Sequence, residues 1–144
     1  MPTNLRETSI PVREAVVLIA EDNPDNMFIA IELLRRAGIW YCNGRASGRQ
    51  LFKVIDGREG PIHLILLDIQ IPHEDGYVIL KQIRSAPRLQ DTRVAAFTAN
   101  VMPEDVERAR EAGFDGFIGK PINHHRFPQQ VERILHGESV WEPR

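Results

Sequence analysis

The residue types best suited to chemistry come directly after short apolar runs in this sequence. They are Glu21 and Asp22 after A-V-V-L-I-A, Asp68 after I-H-L-I-L-L, Thr98 at the end of V-A-A-F-T, and Lys120 after F-D-G-F-I-G. Transferring an isolated ionised group out of water costs several kcal/mol or more of free energy. An acidic residue at the end of a buried run therefore indicates a specific structural or functional role. Asp68 therefore indicates either a loop cap or, as we expect, the mouth of a functional site.

Three carboxylates held together need a counter-ion, because two of them about 4 Å apart repel by roughly 4 kcal/mol at an effective dielectric constant of about 20. An all-oxygen, partly hydrated cluster suits Mg²⁺ better than Zn²⁺, which prefers histidine and cysteine ligands. Lys120 would add a compact cation for a phosphoryl oxygen, and Thr98 a hydroxyl donor. The set predicts a carboxylate nucleophile that accepts a phosphoryl group beside a metal ion and a lysine.

The apolar runs that precede these residues have no helical period and lie between glycines and prolines, so they predict strands buried on both faces. We expect strands over residues 15–20, 39–46, 62–68, 94–98 and 114–119. Helical patterns separate them, which predicts right-handed βαβ units and an α/β fold with a mostly parallel sheet between helices. Ligands bind at the carboxyl ends of the strands in such sheets, so the polar residues are expected to gather at one edge.

Capping residues mark the helices of this pattern. Asn23 and Pro24 predict the start of the first helix, Ser47 the start of the second, and Pro103 and Gly113 the two ends of the fourth.

The last helix is the least regular element. Asn123 can cap it, but Pro128 would lie inside it, lose a hydrogen bond and clash with the carbonyl of His124.

The length and composition of the chain limit which classes of protein it can belong to. The chain has 144 residues, a net charge of −2, 42% hydrophobic residues and 26% charged residues, as expected for one globular domain. Its arginines are scattered, which gives no patch for nucleic acid or an anionic membrane, and no apolar run could span a bilayer. The single cysteine, Cys42, is expected to fill core space, since it cannot form an internal disulfide. We therefore expect a cytoplasmic protein with no nucleic-acid or membrane partner.

The pattern divides the chain into three parts. Residues 1–14 carry two prolines and no periodicity, so we expect a flexible leader. Residues 15–136 would form the domain and residues 137–144 a short tail, in which Trp141 could lie on the surface or engage a partner.

Four segments of the chain resemble the receiver domain of two-component response regulators, the phosphoacceptor modules of bacterial signalling. They are I-A-E-D-N at 19–23, L-L-D-I-Q-I-P-H-E-D-G at 66–76, F-T-A-N at 97–100 and G-K-P-I at 119–122. The resemblance covers residues 15–135 and implies a flavodoxin-like, doubly wound sheet of five parallel strands in the order 2-1-3-4-5, with helices on both faces.

The resemblance also implies a phosphoacceptor and a metal site. Asp68 would be the phosphorylated aspartate. Asp22, Asp68 and the backbone carbonyl of Gln70 would ligate Mg²⁺, and Glu21 would act through a bound water.

A switch follows from the same resemblance. Lys120 and Thr98 would hold the phosphoryl oxygens, and Thr98 would move toward the phosphate. Phe117 stands at the position of the aromatic switch residue. Because phenylalanine has no hydroxyl to form a hydrogen bond, it could transmit a conformational change only through its packing. The bond between Lys120 and Pro121 is expected to be cis.

The function implied is that of a stand-alone phosphoacceptor in a phosphorelay. A histidine kinase or phosphotransfer protein would phosphorylate Asp68, and the signal would pass by protein–protein contact, because the residues after Leu135 are too few for an output domain. The protein would not be an enzyme, although it would assist its own Mg²⁺-dependent phosphorylation and dephosphorylation. Small apolar residues in the helix over 103–112 predict loose packing, so the surface of residues 103–136 is the expected partner or dimer face.

Two alternatives remain open. One is a phosphohydrolase with an aspartate nucleophile, but enzymes resembling the haloacid dehalogenase group have a second acid two residues later, where this chain has Gln70. The other is an adaptor that keeps the fold without the chemistry, and the presence of Asp22, Asp68, Thr98 and Lys120 argues against it.

Overall fold

The computed structural model of the protein describes residue 6 and residues 8–144. Within these residues the strands are β1 (Val16–Ala20), β2 (Tyr41–Arg45), β3 (Leu64–Leu67), β4 (Gln70–Ile71), β5 (Glu74–Asp75), β6 (Arg93–Thr98), β7 (Gly116–Gly119) and β8 (Val140–Glu142). The helices are α1 (Pro24–Arg36), α2 (Gly48–Asp56), α3 (Gly76–Ser85), α4 (Pro103–Ala112) and α5 (Arg126–Leu135). No helix of the described part of the chain is both long and apolar enough to cross a membrane.

A parallel sheet forms the centre of the molecule. In the described residues its strand order is β2-β1-β3-β6-β7-β8, and a short antiparallel ladder pairs β4 with β5 outside it. The first five positions confirm the predicted α/β, doubly wound order. The sequence predicts five strands, however, and the structure adds β8 from the expected tail. Three residues are too few to show the period of a strand in the sequence.

The two faces of the sheet carry separate apolar clusters in the described residues. Leu18 belongs to the cluster beneath α2, α3 and α4, and its neighbour Ile19 to the cluster beneath α1 and α5. Strands β1 and β3 are buried on both faces, as their continuous apolar runs predict. Cys42 lies in the second cluster, where burial, opposed by Arg35, raises the pKa of its thiol to about 12.

The predicted caps form where the sequence places them. The Asn23 side chain accepts hydrogen bonds from the backbone amides of Asp25 and Asn26 at 2.9 and 3.0 Å. Ser47 accepts one from Gln50 at 3.1 Å, and Gly113 ends α4 in the left-handed conformation at φ 103°. These local signals position the helices that follow β1 and β2.

The structure corrects the expected conflict at Pro128. Helix α5 begins at Arg126, so Pro128 lies in its first turn, where backbone amides have no partner within the helix and none is lost. The Asn123 side chain accepts from the amides of His125 and Arg126 at 3.0 and 2.9 Å. The sequence prediction placed the helix start too early.

Part of the expected leader contacts the domain. Residues 1–5 and 7 lie outside the described residues, whereas Ile10 donates a backbone hydrogen bond to Leu135 at 2.7 Å and packs on the cluster beneath α1 and α5. Arg93 is 1% exposed, and its guanidinium donates to the carbonyls of Arg6 and Thr8. An apolar side chain and a buried cation therefore hold this segment against the sheet.

Strand β8 approaches β7 closely because β7 contains glycines. A Cβ atom on Gly119 would lie 1.9 Å from the carbonyl oxygen of Pro143. At Gly116 it would lie 3.0 Å from the carbonyl oxygen of Val140. A side chain at position 119 would therefore overlap Pro143, whereas one at position 116 would need only a small shift of Val140.

We predict that Gly119→Ala lowers the free energy of unfolding by about 1–3 kcal/mol, because the added methyl group overlaps Pro143. Urea denaturation measures the change. Gly57→Ala is the matched control: its methyl group would meet nothing closer than 3.4 Å at φ −84°. We expect that control to stay within about 0.5 kcal/mol of wild type. Equal losses in the two variants would contradict the close approach of Pro143.

Candidate functional site

The polar residues singled out in the sequence follow neighbouring strands of the sheet. Glu21 and Asp22 come after β1, Asp68 after β3, Thr98 ends β6 and Lys120 follows β7. Strand β1 pairs with β3, β3 with β6 and β6 with β7, all in parallel. The carboxyl ends of these strands bring the residues to the same edge of the sheet.

Lys120 is the cation at the centre of this edge. Its Nζ donates to Glu21 Oε1 at 2.7 Å and to Asp68 Oδ2 at 2.8 Å. The side chains of Lys120, Glu21 and Asp68 are 9%, 0% and 6% exposed. Burial alone would lower the pKa of Lys120, but the hydrogen bonds and charges of Asp68 and Glu21 outweigh burial and raise it. The lysine therefore stays charged between two carboxylates.

Backbone groups hold Asp68 in place. Its Oδ1 accepts from the amide of Gln70 at 2.9 Å, and its own amide donates to the carbonyl of Ala20 at 3.1 Å. Gly76 closes the loop by donating to Ile69 at 3.1 Å, and a Cβ there would lie 2.6 Å from the Ile69 Cα. Only glycine fits this position, so D-G at 75–76 completes the loop that orients Asp68.

Thr98 and Phe117 lie beside the acidic residues on β6 and β7. Thr98 is 1% exposed, and its hydroxyl oxygen accepts from the amide of Asn100 at 3.3 Å. The backbone carbonyl of Thr98 accepts from the Lys120 amide at 2.8 Å. Phe117 is fully buried, in register with Ala96 on one side. The bond between Lys120 and Pro121 is cis, as the resemblance to receiver domains implies.

The carboxylates meet the requirements of a hard divalent cation. Glu21, Asp22 and Asp68 each offer one oxygen, and these atoms lie within 4.8 Å of one another. Carboxylate oxygens are the ligands that Mg²⁺ prefers in proteins, so these three side chains would hold the ion between them. Asp22 is exposed, so water could complete the coordination. The donor set is all oxygen and fits Mg²⁺ rather than Zn²⁺.

Glu74 is a structural residue of this edge that the sequence does not reveal. Its carboxylate accepts from the backbone amides of Gly48 at 2.8 Å and Arg49 at 3.1 Å, at the start of α2. An acid at a helix N-terminus satisfies free amides and complements the helix dipole. Glu74 thereby ties the loop after Asp68 to α2. The contact spans 26 positions in the chain, and no local pattern marks it.

An acidic cluster bridged by a lysine, at the carboxyl edge of a parallel sheet wound in this order, is typical of a receiver domain. Residues 17–132 match the family model described as response regulator receiver domain, and the chain belongs to this family. Receiver domains are signalling phosphoacceptors of two-component systems and are generally not classed as enzymes.

Similar proteins agree with this assignment. The chain is 34% identical over 119 residues to the polar-differentiation response regulator DivK of Brucella ovis, covering 83% of this chain and 94% of that protein. The chemotaxis response regulator CheY4 of Vibrio cholerae shares the fold with a TM-score of 0.75 at 22% identity, over 84% of this chain and 98% of that chain. A LuxR family DNA-binding response regulator from Silicibacter pomeroyi has a TM-score of 0.71 at 29% identity, over 90% and 98% of the chains.

We predict that Mg²⁺ raises the melting temperature over that measured in chelator, in proportion to the logarithm of its concentration, since it binds the folded cluster. Thermal denaturation followed by circular dichroism measures the shift. Asp22→Asn and Asp68→Asn should each reduce it, whereas Asp56→Asn, at the exposed end of α2, should keep it. A full shift in Asp22→Asn and Asp68→Asn would place the metal elsewhere.

Proposed function

We propose that this protein is a phosphoacceptor response regulator of a phosphorelay, phosphorylated on Asp68 and signalling by protein–protein contact in the cytoplasm. The observation that carries the proposal is the Lys120 ammonium, which bridges Glu21 and Asp68 at 2.7 and 2.8 Å. It leaves a buried nucleophile beside a fixed positive charge, which is what transfer of a phosphoryl group requires.

The phosphoryl donor would be a phosphohistidine of a histidine kinase or phosphotransfer protein. A carboxylate oxygen of Asp68 attacks phosphorus while the P–N bond breaks, and the histidine nitrogen keeps the electron pair. Lys120 then pairs with a phosphoryl oxygen, and the Thr98 hydroxyl donates to another. These groups stabilise charge that develops on the phosphoryl oxygens during transfer.

The metal ligands in this proposal are Asp22, Asp68 and the backbone carbonyl of Gln70, with Glu21 acting through water. Mg²⁺, when bound, would neutralise the incoming phosphoryl group. The 4.8 Å limit on the separations of the carboxylate oxygens of Glu21, Asp22 and Asp68 supports this assignment. Gln70 supplies no second acid two residues after Asp68, so nothing favours a phosphohydrolase.

A route from the site to the surface runs through β6 and β7. Thr98 pairs in register with Gly119, and Phe117 pairs with Ala96. A movement of Thr98 would therefore take place directly beside β7, the strand that carries the Phe117 ring. Phe117 packs in the cluster beneath α4, and of the ten α4 residues Ala109 alone is buried. We propose that α4 is the element that moves, since little apolar area anchors it.

We predict that incubation with acetyl phosphate and Mg²⁺ adds one phosphoryl group to the intact protein, because Asp68 is positioned as the nucleophile. Intact-mass spectrometry measures the addition. Asp68→Asn should abolish it, and chelation of Mg²⁺ should suppress it in wild type. Asp56→Asn, at the exposed end of α2, is the matched control and should be labelled like wild type. Labelling of Asp68→Asn to the wild-type level would refute the assignment.

A further inference from the structure

A short hairpin directly follows the candidate phosphoacceptor. Its strands β4 and β5 pair in antiparallel, with Gln70 opposite Asp75 and Ile71 opposite Glu74, and two residues connect them. The second of these, His73, has a φ of 65°, a left-handed conformation that is unfavourable for a residue with a Cβ atom. Isolated two-stranded ladders are only marginally stable. The hairpin must therefore be held by contacts with the rest of the molecule.

The base of the hairpin contributes two backbone groups to the site. The Gln70 amide donates to Asp68 Oδ1 at 2.9 Å, and the Gln70 carbonyl is one of the proposed Mg²⁺ ligands. A rotation of the hairpin would move both groups, and such groups need to be placed to within about 0.5 Å. The contacts that orient the hairpin therefore set the position of Gln70.

Two paired residues of the hairpin contact the rest of the domain. Ile71 is 4% exposed and packs in the apolar cluster beneath α2, α3 and α4. Its cross-strand partner Glu74 accepts from the Gly48 amide at 2.8 Å through Oε1 and from the Arg49 amide at 3.1 Å through Oε2. Apolar burial is non-directional, whereas two hydrogen bonds from separate oxygens of one carboxylate fix an orientation. Glu74 is therefore the contact that orients the hairpin against α2.

The start of α2 leaves two amides for this carboxylate. The first amides of a helix have no partner within it and carry partial positive charge. Ser47 accepts from the third amide of α2, that of Gln50, at 3.1 Å. A Cβ atom on Gly48 would lie 2.5 Å from Ile79 Cδ1 and 3.3 Å from Glu74 Oε2, so the lack of a side chain there permits the close approach. Glu74 and Ser47 thus bond to the same helix start, and Glu74 in addition joins it to the hairpin.

We propose that Glu74 is a positioning residue of the phosphoacceptor site and acts through the backbone of Gln70. It fixes the hairpin to α2, and the hairpin holds the Gln70 amide and carbonyl beside Asp68. Among the described residues, the carboxylates close enough to share one cation are those of Glu21, Asp22 and Asp68, so Glu74 acts from outside the metal site. The proposal rests on the phosphoacceptor function proposed for Asp68, and it makes Mg²⁺ binding depend on the start of α2.

The two caps of α2 provide a matched pair of variants. Glu74→Ala releases the hairpin, whereas Ser47→Ala removes a cap of the same helix and leaves the hairpin attached. We expect Glu74→Ala to weaken Mg²⁺ binding about tenfold, as loss of a residue that orients metal ligands does. Ser47→Ala should bind Mg²⁺ like wild type. Glu74→Gln keeps one acceptor oxygen and should fall between Glu74→Ala and wild type.

Isothermal titration calorimetry without a phosphoryl donor measures these affinities. Wild-type affinity in Glu74→Ala would overturn the proposal. An equal loss in Glu74→Ala and Ser47→Ala would also overturn it, because the effect would then come from the stability of α2.

Hydrogen exchange of the metal-free protein tests the positioning of the hairpin by itself. Glu74→Ala should speed exchange in residues 69–76 as well as at the start of α2, because both lose the contact that joins them. Ser47→Ala should speed exchange in α2 alone. Unchanged exchange of residues 69–76 in Glu74→Ala would show that Glu74 does not hold the hairpin.

Labelling by acetyl phosphate separates this proposal from the function on which it rests. At a Mg²⁺ concentration below saturation, Ser47→Ala should be labelled at the wild-type rate and Glu74→Ala more slowly, and added Mg²⁺ should narrow the difference. A wild-type protein that is not labelled would refute the phosphoacceptor function, and calorimetry and exchange would still decide the role of Glu74. A labelled wild type with equal rates in Glu74→Ala and Ser47→Ala would overturn the role of Glu74 alone.

Discussion

The ion pair that joins Lys120 to Glu21 and Asp68 is the constraint on which the rest of the structure depends. Two buried carboxylates side by side are unfavourable, and so is a buried cation without partners, but Lys120 between Glu21 and Asp68 relieves both costs in part and leaves one net negative charge. The contact requires β1, β3 and β7 to end at the same edge of the sheet, which their parallel order provides. Removing Lys120 would leave two buried carboxylates side by side with no cation between them, so this lysine supports both the fold and the chemistry of the edge.

Strand β7 connects this edge to the far side of the molecule. It carries Phe117 in its interior, Lys120 follows its last residue, and β8 lies along its outer side. Phe117 therefore has Ala96 of β6 as its neighbour on one side and Trp141 on the other. Strand β7 therefore adjoins both the edge that carries Lys120 and the strand β8.

The parts of the structure that follow from local chemistry could be predicted from the sequence. Apolar runs gave the central strands, Asn23 and Ser47 marked helix starts, and the order of elements implied which residues share an edge. The contact of Glu74 with α2 and the pairing of β8 with β7 could not be predicted, because each depends on residues far apart in the chain. Pro128 is a third case. The sequence correctly placed this proline within the last helix, but the predicted start of that helix lay a few positions too early.

The burial of Cys42 separates this molecule from the oxidation chemistry of its surroundings. Burial raises the pKa of the thiol to about 12, so the thiolate, which is the form that reacts with peroxides and disulfides, is scarce at neutral pH. The sulfur also lies between α1 and the sheet, so a reagent could reach it only after that packing opened. Oxidants that modify an exposed cysteine therefore have little access to Cys42 while the protein is folded.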